Sequence, residues 1–129
     1  MWWPVSLRGQ FANQSFEKAL ALWFNSTFGL ILLLANRQET RGAWVDFKKP
    51  VLSEAPVIDL RAFSAHAMET LAVTYDAVCD QSLRPFPEMD ADPVRERIDT
   101  AISQALGLPD IAVLRRLLAR EPVVCLRRL

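Results

Sequence analysis

The densest set of side chains able to grip an anion or read a base edge lies in one stretch, NRQETRGAWVDFKK, from Asn36 to Lys49. Arg37, Arg41, Lys48 and Lys49 are cations suited to phosphate, Gln38 can donate and accept at a base edge, and Trp44 can stack or wedge. The same composition also describes a solvated turn whose charges keep an exposed loop in water. Catalytic chemistry has less to work with. His66 is the single histidine, so neither a histidine–cysteine dyad nor a zinc cluster can be assembled convincingly. Gly9, Gly29, Gly42 and Gly107 stand alone, and no glycine-rich loop is present to cradle phosphate. The expectation is a chain without catalytic, cofactor or metal site of its own.

Charge sets the wider context. Fifteen basic and fifteen acidic residues cancel over 129 positions, so no global field selects nucleic acid or an acidic partner. The distribution is uneven: Glu54 to Asp99 holds ten carboxylates against Arg61, Arg84, Arg95 and Arg97, while the flanking segments are mildly basic. The carboxylates of this stretch are expected mostly on outward helix faces or in a proline-broken connector, where they serve solvation. Cys79 and Cys125 sit among apolar neighbours and read as free thiols buried as small hydrophobes. The opening Met-Trp-Trp-Pro has neither a positive leader nor an apolar run, which points to a cytoplasmic protein.

The loop must be held by what precedes it. Ala19 to Ala35 is almost wholly apolar, yet Asn25-Ser26-Thr27 interrupts it. A membrane span needs about 20 apolar residues and tolerates no such interruption without partners. The better reading is a buried central helix, capped at Asn13 or Ser15, with Gly29 allowing a close neighbour. Asn25 would then pin an adjacent strand or loop; direct ligand contact is the alternative.

Short strands are expected at GAWVDF, ended by Lys48-Lys49-Pro50, at APVIDL, and at the C-terminal PVVCL. Ser64 should cap an amphipathic helix burying Met68, Leu71, Ala72, Tyr75, Val78 and Cys79, with His66 in its polar first turn. Asp92 and Pro93 should open another that buries Val94, Ile98, Ile102 and Leu106 and ends at Gly107. A last helix after Pro109 should turn Ile111, Leu114, Leu117 and Leu118 inward and Arg115, Arg116 and Arg120 outward. The predicted class is α+β and helix-dominated: one domain over 1–129, with a buried central helix and short strands in 1–60 and mostly amphipathic helix in 61–129.

Two stretches resemble a known family. ALALWFNSTFGLILL followed by RGAWVDFKKPVLSEAPVIDL is similar to the C-terminal target-recognition region of large adenine-specific DNA methyltransferases of restriction-modification and phage-defence systems. The resemblance is carried by Leu22, Trp23, Asn25 and Ser26, then Trp44, Lys48, Lys49, Pro50, Leu52, Pro56 and Leu60. Asp92 to Leu108, DPVRERIDTAISQALGL, resembles the helix that commonly closes such chains, and Trp2–Pro4 an interior strand. The family's Asn/Asp-Pro-Pro-aromatic loop and its glycine-containing cofactor motif are not in this sequence.

The resemblance implies a non-catalytic DNA-recognition or structural module, a fragment of such an enzyme. Arg37, Gln38, Arg41, Trp44, Lys48 and Lys49 would meet DNA, weakly when isolated, and a methyltransferase chain would supply catalysis. The alternative is a helical protein–protein module with no DNA role, its interface formed by Trp2, Trp3 and the apolar helix, and homo-oligomers possible.

Overall fold

The structure is a computed structural model, and it describes residues 6–39 and 45–122. Six α-helices carry the described fold: α1 (Gln14–Asn25), α2 (Thr27–Ala35), α3 (Lys49–Glu54), α4 (Ala65–Val78), α5 (Pro93–Leu106) and α6 (Ala112–Leu118). Short 3-10 turns at Gly9–Phe11, Leu60–Ala62 and Phe86–Ala91 join them. Extended pairing among the described residues is confined to Gln38–Glu39 (β1) and Val45–Asp46 (β2), antiparallel, with Gln38 opposite Asp46.

This corrects the α+β expectation. Two residues per strand make a clasp, with no sheet face for a helix layer to cover. Ala55–Leu60 takes no strand pairing; Ile58 and Leu60 instead drop into the helical core. The strand expected in PVVCL lies, from Val123 onward, outside the described residues.

Local signals set most helix ends. Asn13 Oδ1 accepts from the Ser15 and Phe16 amides to start α1, and Ser64 Oγ accepts from the Ala67 amide to start α4. Asp92 opens α5 with bonds from the Val94 and Arg95 amides, ahead of Pro93 in the first turn. Gly107 ends it at φ 64°, a left-handed turn that costs glycine nothing. Asn13→Ala should therefore lower unfolding free energy by about 1 kcal/mol, the usual worth of such a cap, measurable by urea denaturation.

The core forms where α1 packs along α4 and α5 closes over both, burying Ala19, Leu22, Leu71, Ile98 and Ile102. A second, smaller cluster ties α2 to α6 through Met89, Leu118 and Ala119, with Leu30, Ile31 and Leu34 against it. α4 buries Met68, Leu71 and Val78 as its periodicity demands, but Cys79 follows the last turn and is exposed rather than buried. His66 is exposed.

The central apolar helix is not one helix. It breaks at Ser26, and α1 and α2 meet at 69°. No single helix among the described residues is long and apolar enough to cross a membrane, although the bent pair passes that test jointly. Gly29 marks the inside of the bend. A Cβ there would lie 2.0 Å from the Trp23 carbonyl oxygen, so only glycine lets α2 fold back this closely. Ser26 has the extended backbone of a helix cap, and its hydroxyl works on both sides of the break. It donates to Trp23 O at 2.7 Å and accepts from the Gly29 amide at 3.1 Å.

Candidate functional site

The anion-binding candidates divide at the clasp. α2 ends at Ala35, and Asn36 caps it. Arg37 follows, half-buried, its Nη1 donating to Leu34 O at 2.8 Å. That bond neutralises an orphan carbonyl of the helix end and places the cation at the negative pole of α2. So Arg37 has a structural duty that its sequence context did not reveal. Gln38, also half-buried, starts β1 opposite Asp46. Lys48 and Lys49 are exposed, Lys48 as the cap residue of α3 and Lys49 as its first residue. Pro50 fits the first turn of α3, where its missing amide hydrogen is not needed.

The clasp sets Gln38 opposite Asp46 and Glu39 opposite Val45, with Arg37 just before the first arm and Lys48 and Lys49 just after the second. Arg41 and Trp44 lie outside the described residues. Two ammonium groups at the start of a helix sit at its positive pole, a placement that the helix dipole disfavours by a few tenths of a kcal/mol. Glu39 and Asp46 are interleaved in the same segment, so its net charge is only mildly positive.

Asn25 does not pin the loop. It is exposed, and its Nδ2 donates to Ala21 O on its own helix at 2.9 Å. The tertiary partner comes two residues on. Asp99, 1% exposed, accepts from the Thr27 amide through one carboxylate oxygen and from the Thr27 hydroxyl through the other, each at 2.7 Å. Arg115 Nη1 donates to the same carboxylate at 2.9 Å. Arg95 Nη1 donates to Asn25 O at 2.8 Å, capping the C-terminal end of α1. One carboxylate at the start of α2 and one guanidinium at the end of α1 therefore complement the two helix dipoles at the break.

This junction refines one expectation and overturns another. Most carboxylates of the acidic stretch are exposed, as expected, but Asp92 and Asp99 are buried, Asp92 also accepting from the Arg84 amide at 2.8 Å. α6 is rotated from its expected setting. Arg115 points inward at 4% exposure while Leu117 is 60% exposed and Leu114 38%, because the buried Asp99 demands a counter-charge more strongly than the small second cluster demands another leucine. Burial holds the Arg95 guanidinium below its ordinary basicity; Asp92 and Asp99 oppose that, and Arg115 adds to it. The Nε atoms of Arg95 and Arg115 find no hydrogen-bond partner, nor does Ser103 Oγ.

No protein family, curated protein or solved structure matches this chain.

The remaining concavities lie open at the surface, one of about 570 Å³ lined by Phe16, Phe63, Met68 and Asp76. A cleft of about 250 Å³ opens between α1, α4 and α5, lined by Asn25, Tyr75, Cys79 and Gln81 over an apolar floor. The Asn25 and Gln81 amides there already donate to carbonyls of their own helices. Among the described residues no three His, Cys, Asp or Glu side chains converge in a way that could hold a metal ion.

Proposed function

We propose that this chain is a non-catalytic DNA-recognition or structural module of the adenine-methyltransferase type, working beside a catalytic chain and in the cytoplasm. The clasp and the start of α3 meet DNA phosphates. The observation that carries this reading is the placement of Lys48 and Lys49, exposed next to each other at the start of α3 and directly after the clasp. The residues carrying the family resemblance also fall at structurally decisive points: Leu22 and Trp23 in the core, Ser26 at the bend. Arg37 supports the clasp from within, and Gln38, Arg41 and Trp44 extend the contact surface.

The mildly positive charge of the Asn36–Lys49 segment, in a chain of zero net charge, sets the expected strength. Binding by the isolated chain is weak and falls steeply with salt, because counterion release from phosphates supplies most of it. Titrating a labelled duplex at low and moderate salt checks this. Arg41→Ala combined with Lys48→Ala is expected to reduce the slope of log affinity against log salt by roughly 2, about 0.9 per phosphate contact. Unchanged affinity and slope would rule the reading out.

A second reading has its own observation. Val113 and Leu117, 61% and 60% exposed, face outward from α6, and α2 is apolar all round but only half covered. A face of that kind suits a protein partner, DNA playing no part. Concentration-dependent self-association in sedimentation, together with no duplex binding, is the result that would favour it.

A further inference from the structure

We infer that the α1–α2 bend is the latched state of a two-state hinge, whose other state is one continuous helix from Gln14 to Ala35. Nothing within that stretch forbids continuity. It holds no proline, and apolar helix formers flank the break on both sides. Only Ser26 leaves helical geometry, at φ −77° and ψ 159°.

The bend exchanges the helix hydrogen bonds of Thr27, Gly29 and Asn25 for others. In a straight helix the Thr27 amide would donate to Trp23 O, and the Gly29 amide to Asn25 O. Here the Thr27 amide donates to Asp99, Gly29 to Ser26 Oγ, and Asn25 O accepts from Arg95. Trp23 O accepts from the Ser26 amide and hydroxyl instead. With those bonds exchanged, the choice between states rests on what each extra partner gains and on the cluster of Leu30, Ile31 and Leu34 with Met89, Leu118 and Ala119, which straightening would part. Every one of those partners favours the bend alone. Asp99 and Arg95 lose their α1–α2 partners on straightening, and the close approach that requires Gly29 exists only in the folded-back geometry.

The latch has a handle. Arg115 reaches Asp99 from α6, a seven-residue helix that rests on the smaller cluster. Moving α6 away would leave Asp99 a buried charge without its counter-ion, the condition that most weakens the latch. α2 is the element free to respond, because its leucines are only half covered where α1 is held firmly along α4. Swinging α2 through 69° would carry its far end, and the clasp attached there, by roughly 15 Å at 1.5 Å rise per residue. The hinge does not depend on what the clasp binds.

Backbone chemical shifts of Asn25 to Phe28 in the whole chain report the two states directly. The wild type is expected to show Ser26 extended. Asp99→Leu combined with Arg115→Met replaces the buried pair by apolar groups, which preserves folding in comparable cases, and is expected to bring Ser26 to helical shifts with α4 and α5 unchanged. Thr27→Val, which removes only the hydroxyl arm, is the milder probe. It should speed hydrogen exchange at Thr27 and Gly29 about tenfold relative to α5 core amides, as the loss of one buried hydrogen bond implies. Ser26 remaining extended in the folded double variant, or wild-type exchange in Thr27→Val, would overturn the inference.

Discussion

Asp99→Ala is expected to lower unfolding free energy by about 3–5 kcal/mol, the cost of removing one partner from a buried ion pair and stranding the other. Three bonds end on this carboxylate: two from Thr27 and one from Arg115. Its loss leaves Arg115 buried with an already unpartnered Nε, and leaves the first amide of α2 without an acceptor. Glu96 does not substitute, since it stands 3.9 Å from Arg115 and is largely in water. Replacing both members by apolar residues should recover much of the loss, because neither an orphan cation nor an orphan anion then remains buried. Urea denaturation of the single and double variants measures both. A loss below about 1 kcal/mol for Asp99→Ala would mean that water reaches the junction and screens it. The exposed pair Asp59–Arg61 is the natural control. Arg61 holds the Asp59 carboxyl below the usual carboxylate range, but both groups face solvent, so Arg61→Ala should leave the unfolding midpoint unmoved.

Gly29→Ala carries the second large effect, and its sign is the test. Inside a helix alanine is worth about 1 kcal/mol more than glycine, so α2 by itself favours the substitution. The bend reverses that. The added methyl would lie 2.0 Å from the Trp23 carbonyl oxygen, and that atom is backbone, held in place by Ser26. Relief requires α2 to shift away from α1, an overpacking cost of about 1–3 kcal/mol on top of the bonds to Asp99 that such a shift stretches. Net destabilisation of about 2 kcal/mol is expected, read as a lower unfolding midpoint in thermal or urea denaturation. A rise in stability would show that α2 does not fold back on α1 this closely.

Much of the frame was legible because the relevant physics is local. Ser64, Asp92 with Pro93, and Gly107 act on amides and carbonyls within four residues, and they cap the helices where the sequence places them. The buried faces of α4 and α5 follow from the 3.6-residue period, which needs only the presence of a core on one side. Gly29 was readable as a site of close approach, although its neighbour turned out to be the preceding helix. The clasp was half visible. The extended character of Val45 and Asp46 shows in the alternation, but the pairing with Gln38 and Glu39 does not, and neither does the commitment of Arg37 to the end of α2.

The tertiary structure alone decided the bend, the inward turn of Arg115 and the burial of Asp99. Asn25-Ser26-Thr27 announces a polar interruption within apolar surroundings, and the sequence by itself established that those groups need partners. It could not name them, because Thr27 finds its acceptor 72 residues away and Asp99 finds its counter-ion on a different helix, 16 residues further on. Helix periodicity ranks arginine as outward and leucine as inward by transfer free energy alone. A buried carboxylate inverts that ranking at one position, since an uncompensated charge in a dry interior costs more than leaving one leucine in water.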